Sequence, residues 1–221
     1  MNPNDIYFKE LKLPEVPLMD LDFVLKYDKW TDGGYHVWKF PRFYISNPAL
    51  NALSLVHAHP GYAIFFNNDN TTPLTQRVIH SDLVTKEDPR LVKTLHGAEW
   101  RPATFGINFE ITGATNDFYW YKLPEDCQPV PPVIKDDTPL WWAWLHGQHY
   151  GGRGAAGIPE GAVELARTTV TTRPTLVRAD IPHATSFTCP PGQRRISCSI
   201  RYYENWTWEQ ALEIFKPLFV D

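Results

Sequence analysis

Proline, glycine, asparagine and aspartate recur so often along this 221-residue chain that few uninterrupted segments exceed the length of a short strand. Twenty prolines and thirteen glycines do much of the cutting. Between the breaks lie segments that read as strands, at about 35–46, 61–67, 74–82, 104–112, 117–122, 165–171, 174–180, 183–188 and 194–203. Their spacing predicts a mainly β fold of the sandwich or jelly-roll kind, with flanking helices, and no βαβ alternation supports a parallel sheet. Two helices are expected. In the first, Asn47 is the N-cap, Pro48 the first helical residue, and Leu50, Leu53 and Leu55 the apolar side, running to about Val56. The second opens on Thr207-Trp208-Glu209-Gln210, which has capping-box spacing, and carries Trp208, Ala211, Leu212, Ile214, Phe215 and Leu218 as a stripe for packing on the core.

A chain that is 43% hydrophobic and 21% charged is globular, and residues 1–221 read as a single domain. Its net charge of −4, with no dense basic run, disfavours nucleic acid as a partner. No run of apolar residues is long enough to span a membrane. The first ten residues lack a signal-like apolar stretch, and Cys127, Cys189 and Cys198 are an odd number, so a reducing, cytoplasmic setting is expected. The sequons at Asn70 and Asn205 are then chance matches.

One insert or lid is expected, at about 124–161. Its first part carries Pro124, Pro129, Pro131, Pro132 and Pro139, and cannot be a central strand or a helix. The second, Leu140 to Gly161, joins Trp141, Trp142 and Trp144 to Gly151, Gly152, Gly154 and Gly157. Three indoles are costly to leave in water, so they either plug the barrel or line a cleft, and the glycines supply hinges for a segment closing over its mouth.

In Val78-Ile79-His80-Ser81-Asp82-Leu83, the His and the Asp two residues on share one face of a strand, with Ile79 packed behind. Ile181-Pro182-His183 offers a third ligand. Two imidazoles and one carboxylate form a facial triad, the arrangement by which non-haem oxygenases hold Fe(II). Further on, strand alternation places Arg195, Ser197, Ser199 and Arg201 on one face, and Ile196, Cys198 and Ile200 on the other. If buried, such a polar face needs an anion, and a guanidinium fork with a serine two residues away suits a carboxylate. If the strand lies at an edge, the same face is simply solvated.

This ordered set resembles the Fe(II)- and 2-oxoglutarate-dependent oxygenase superfamily over about residues 60–203, particularly its prolyl-hydroxylase-like and phage-type members. The resemblance rests on His-x-Asp, a distal His, and Arg-x-Ser about ten residues later. It implies a double-stranded β-helix (a cupin-like jelly roll) and a hydroxylase that converts 2-oxoglutarate and O2 to succinate and CO2. It implies that His80, Asp82 and His183 bind Fe(II), and that Arg195 with Ser197 grips the far carboxylate of 2-oxoglutarate. Arg194 faces the opposite side and lacks the serine partner. Phe105 to Ile111 and Phe118 to Tyr121 are similar to the family's middle strands, where Asn108 faces inward to touch the co-substrate or to bond a neighbouring carbonyl. The separation of Asp82 from His183 exceeds that of compact members by the insert. The substrate, a small molecule or a peptide, is not written in the sequence.

Other readings of the same residues are a non-catalytic jelly-roll module and a cupin-type metal enzyme that uses no 2-oxoglutarate; neither requires the Arg195 clamp. His57 and His59 have metal spacing but fall at a helix end. His146 and His149 flank glycines, and His36 and His96 have no partner signature. The glycine run lacks the Lys-Ser/Thr ending of a phosphate loop, and Cys198 reads as a small core residue.

Overall fold

The structure is a computed structural model that describes residues 6–27, 35–68, 79–82, 104–112, 114–128, 148–150, 158–188, 193–204 and 206–221. The strands are β1 (Phe8–Glu10), β2 (Tyr35–Pro41), β3 (Tyr62–Asn68), β4 (Ile79–Ser81), β5 (Phe105–Glu110), β6 (Thr115–Lys122), β7 (Gln148–Tyr150), β8 (Val163–Val170), β9 (Thr175–Arg178), β10 (His183–Thr188) and β11 (Arg195–Arg201). They form two sheets in which every pairing is antiparallel: six strands in the order β1-β9-β5-β11-β3-β2, and five in the order β7-β4-β10-β6-β8. The fold is thus mainly β with a few helices.

Each face of the large sheet follows from residue alternation. One face carries Phe65, Phe109, Leu176, Ile196, Cys198 and Ile200, all buried in the main core. Against it pack helix α2 (Asn47–Leu55), through Ala49 and Leu53, and helix α3 (Trp208–Phe215), through Trp208, Ala211 and Phe215. The other face looks toward the small sheet, where Val177 meets Phe118, Trp120, Ala166 and Val170. Ile79, Tyr119, Tyr121 and Ala184 form a separate cluster on the far side of the small sheet.

Helix α3 begins as its sequence predicts. The Thr207 side chain accepts from the Gln210 N–H, and the Gln210 side chain accepts from the Thr207 N–H. It ends earlier than the stripe suggests, passing into a 3-10 turn over Lys216–Leu218 where Pro217 interrupts the α pattern. Helix α2 differs by one residue at its start: Ser46 is the N-cap, in extended conformation, and Asn47 is already helical. The strand expected over 35–46 stops at Pro41, and a 3-10 turn, Arg42–Tyr44, follows.

Three short elements are additional to the sequence reading. Strand β1 pairs with the edge of β9; α1 (Leu21–Lys26) is held by Asp20, whose side chain accepts from the Phe23 N–H; and β7 pairs with β4. Strand β7 is the one strand described within the expected insert. Residues 129–147, which include the three tryptophans, and 151–157 lie outside the described residues, as does 74–78 of the strand expected over 74–82. No described helix is long and apolar enough to cross a membrane. Replacing the cap by Thr207→Ala is expected to cost about 1 kcal/mol, read as a lower urea midpoint with unchanged slope.

Candidate metal centre

The small sheet brings the three predicted ligands together. Strand β10 lies between β4 and β6, so that His183 is the register partner of His80 on one side and of Trp120 on the other. Asp82 lies just past β4, where its backbone N–H donates to the Ala179 carbonyl at 2.7 Å. One ligand atom from each of His80, Asp82 and His183 lies within 4.8 Å of the others. This is the single such group among the described residues. Its partner on the other face of β4, Ile79, is wholly buried, as the alternation requires.

Burial and hydrogen bonding prepare these side chains for a cation. His183 is 2% exposed and its ring stacks on Phe118 at 4.9 Å, with an interplanar angle of 15°. Its Nδ1 lies 2.9 Å from the Ile181 carbonyl, which selects the tautomer with the proton on Nδ1 and leaves the Nε2 lone pair for a ligand bond. Burial and the neighbouring His80 lower the His183 pKa to about 3, against the opposing pull of Asp82 and the Ile181 carbonyl, so the ring is neutral at neutral pH. For Asp82, burial pushes the carboxyl upward, but Arg201 and the two imidazoles together outweigh it and hold the group below the ordinary carboxylate range. A neutral imidazole and an ionised carboxylate are the forms in which these groups bind metal.

Arg201 fixes the carboxylate. Its Nη1 donates to Asp82 Oδ2 at 2.9 Å, and its Nε donates to Ser199 Oγ at 2.8 Å. Ser199 in turn donates to Asn108 Oδ1 at 2.5 Å. Asn108 therefore accepts from a serine side chain of the adjacent strand rather than bonding a neighbouring carbonyl. The chain of bonds crosses β5 at Gly106, where a Cβ atom would stand 2.7 Å from Ser199 Oγ and 3.0 Å from Arg201 Nε. A strand-interior glycine is the sequence signal for such a close approach, and it was available in Phe105-Gly106-Ile107. Tyr62, the register partner of Arg201, lies in the same field; burial, chiefly, raises its pKa to about 12.

Strand β11 occupies the interior of the large sheet between β5 and β3, and all seven of its residues are buried. The solvated-edge alternative is thereby removed. Arg195 is buried and paired with Glu110, at 3.0 Å, and Ser197 Oγ is buried without a hydrogen-bond partner. Arg194 is half-buried. Glu110 had no assigned role in the sequence reading, because nothing local distinguishes it from any other strand carboxylate. His57 and His59 are exposed at the end of α2, with His57 in the left-handed region at φ 56°. His96 and His146 lie outside the described residues, and so does Cys189. Cys198 is buried in the main core, and burial pushes its thiol well above the usual range, as suits a packing residue.

Comparison of the chain with known protein families finds no match, and comparison with curated proteins finds none either. The assignment of chemistry therefore rests on the site itself.

Two variants test this geometry. Asp82→Ala removes the sole carboxylate of the trio, and divalent-metal stoichiometry under anaerobic conditions is expected to fall close to zero, with folding checked by circular dichroism. Gly106→Ala touches no ligand, yet it should displace Arg201 and weaken metal binding by about tenfold, the lower range for losing an outer support of a ligand. Metal affinity equal to that of the parent in the Gly106 variant would remove Arg201 from the site.

Proposed function

We propose that this chain is an Fe(II)- and 2-oxoglutarate-dependent oxygenase built on a jelly roll. If β3, β4, β5, β6, β8, β9, β10 and β11 are numbered one to eight, the two sheets contain the runs 6-3-8-1 and 2-7-4-5. Every connection but one then passes from sheet to sheet, the winding expected of two Greek keys. The observation that carries the reading is the convergence of His80, Asp82 and His183 at one end of a sandwich interior whose other wall presents Arg195, Ser197, Ser199 and Arg201.

Two imidazoles and a carboxylate fit a divalent iron and leave adjacent positions for other ligands. The orphaned hydroxyl of Ser197 beside Arg195 fits the distal carboxylate of the co-substrate. When bound, iron and 2-oxoglutarate supply the oxidation: O2, substrate and 2-oxoglutarate give hydroxylated substrate, succinate and CO2. The protein holds and orients. Phe118 fixes the plane of His183, and Trp120 packs on Phe118 at 4.8 Å while donating its indole N–H to the Arg178 carbonyl at 2.9 Å. Arg201 sets the carboxylate orientation of Asp82, and the Phe118, Trp120, Ala166, Val170 and Val177 cluster keeps water from the inter-sheet space.

One observation favours a cupin-type metal enzyme that uses no 2-oxoglutarate. Arg195 already has a carboxylate in Glu110, so its charge is balanced before any co-substrate enters. Anaerobic addition of Fe(II) and then 2-oxoglutarate decides between the two. The oxygenase reading expects a visible charge-transfer band and, after admission of O2, succinate. A metal-loaded protein that gives neither would overturn the oxygenase reading and leave the cupin-type enzyme and the non-catalytic module, which a metal-dependent activity then separates. Arg195→Ala should weaken 2-oxoglutarate binding far more than Arg194→Ala, since stranding a buried charge costs about 3–5 kcal/mol and removing a half-exposed one costs little. Titration of both variants, with folding checked by near-UV circular dichroism, reads the difference.

A further inference from the structure

The pair formed by Glu110 and Arg195 is closed off from water, the two side chains being 1% and 8% exposed. It is also incompletely made. Arg195 Nε and Nη2 both donate to one oxygen, Glu110 Oε1, at 3.2 and 3.0 Å, while Nη1 donates to Asn68 Oδ1 at 3.3 Å. Glu110 Oε2 has no hydrogen-bond partner, although Asn116 lies near enough to favour the ionised form. Across the β5–β11 pairing, Ser197 stands directly opposite Glu110, and its buried Oγ has no partner either. A guanidinium matched to a carboxylate engages both oxygens. Here one oxygen takes two bonds, and an acceptor and a hydroxyl are left over inside the protein.

We propose that Glu110 is a resident anion in the Arg195 clamp, that the distal carboxylate of 2-oxoglutarate displaces it, and that this displacement puts a proton on Glu110. The inference rests on the oxygenase reading and adds to it a built-in coupling between co-substrate binding and proton uptake. Two carboxylates cannot both stay ionised beside one buried guanidinium, because their repulsion and desolvation favour the protonated form of one of them. The displaced Glu110 keeps its burial and loses its cation, so it takes a proton from solvent, and 2-oxoglutarate binds as the dianion. Burial already pushes the Glu110 carboxyl above its ordinary value in the free protein, against the pull of Arg195 and Asn116.

The described surroundings supply no competing titration. Arg195 faces Glu110 from β11, Asn68 belongs to β3 and Asn116 to β6. Phe187 of β10 lies over the guanidinium, 5.0 Å from its ring centre to Arg195 Cζ. Cys198 is on the opposite face of β11, its thiol held far above neutrality. Since the free state has the lower Glu110 pKa and the bound state the higher, binding takes up protons between the two. Affinity therefore falls as pH rises through that interval.

Calorimetry on the Mn(II)-loaded protein under argon tests this, with 2-oxoglutarate titrated in two buffers of different ionisation enthalpy across the neutral range. The parent protein is expected to take up close to one proton and to lose up to about tenfold in affinity per pH unit. Glu110→Gln is expected to bind more tightly, without proton uptake or pH dependence. In the parent protein, 2-oxopentanoate, which lacks the distal carboxylate, is expected to take up no proton, and this control needs no variant to fold. Binding of 2-oxoglutarate to the parent without proton uptake would overturn the inference and leave the oxygenase reading standing. Failure of both the parent and Glu110→Gln to bind 2-oxoglutarate would overturn the two together.

Discussion

Two guanidinium groups face the inside of this protein from one strand, and each requires an anion, because an uncompensated charge taken out of water costs several kcal/mol. Arg201 is met by Asp82 and Arg195 by Glu110. These two pairings constrain much else. Asp82 must follow β4 at the point where the small sheet passes over the end of β11, Gly106 must lack a side chain so that Arg201 can lie across β5, and Ser199, which itself donates to Asn108, must accept from the guanidinium. The acid that neutralises Arg201 is also the carboxylate of the candidate metal-binding trio, so the device that makes a buried arginine tolerable also orients that carboxylate beside the two imidazoles.

The alternation of β11 divides labour between the two faces of the large sheet. Ile196, Cys198 and Ile200 belong to the main core, where α2 and α3 cover the sheet with apolar side chains. The loss of apolar surface to water is concentrated there, which allows the opposite face to carry charge. A one-residue slip of β11 would place two arginines against the helices and three apolar residues in the polar interior, so the register is fixed by burial on both sides. The candidate metal-binding histidines inherit this precision. His80 and His183 stand on hydrogen-bonded neighbours in the small sheet, where a strand spacing brings their rings to 4.3 Å between centres.

Much of this was legible in the chain. Strict alternation assigned Arg195, Ser197, Ser199 and Arg201 to one side of a strand, and His80 and Asp82 to one side of another, because the period of an extended backbone is two wherever it occurs. The capping box at Thr207 was equally local. Helix α2 took its cap one residue earlier than expected, at Ser46 rather than Asn47, since the serine and the asparagine are both competent and the choice depends on how the preceding turn leaves β2. Elements of three residues, such as β1 and β7, carry too few side chains for any period to be read and exist only through the strands they pair with.

What the sequence determined by itself was therefore the set of residues that share a face, because that depends on backbone geometry within a segment. The tertiary structure decided which faces meet. Whether β11 lay at an edge or in the interior, whether Arg195 faced water or a carboxylate, and that Arg201 would hold Asp82 all depend on contacts between residues far apart in the chain. The Asn108 bond shows the difference in small. Alternation placed its side chain inward, but its partner, Ser199, was supplied by the register of β5 against β11, which burial of both sheet faces fixes and no local pattern encodes.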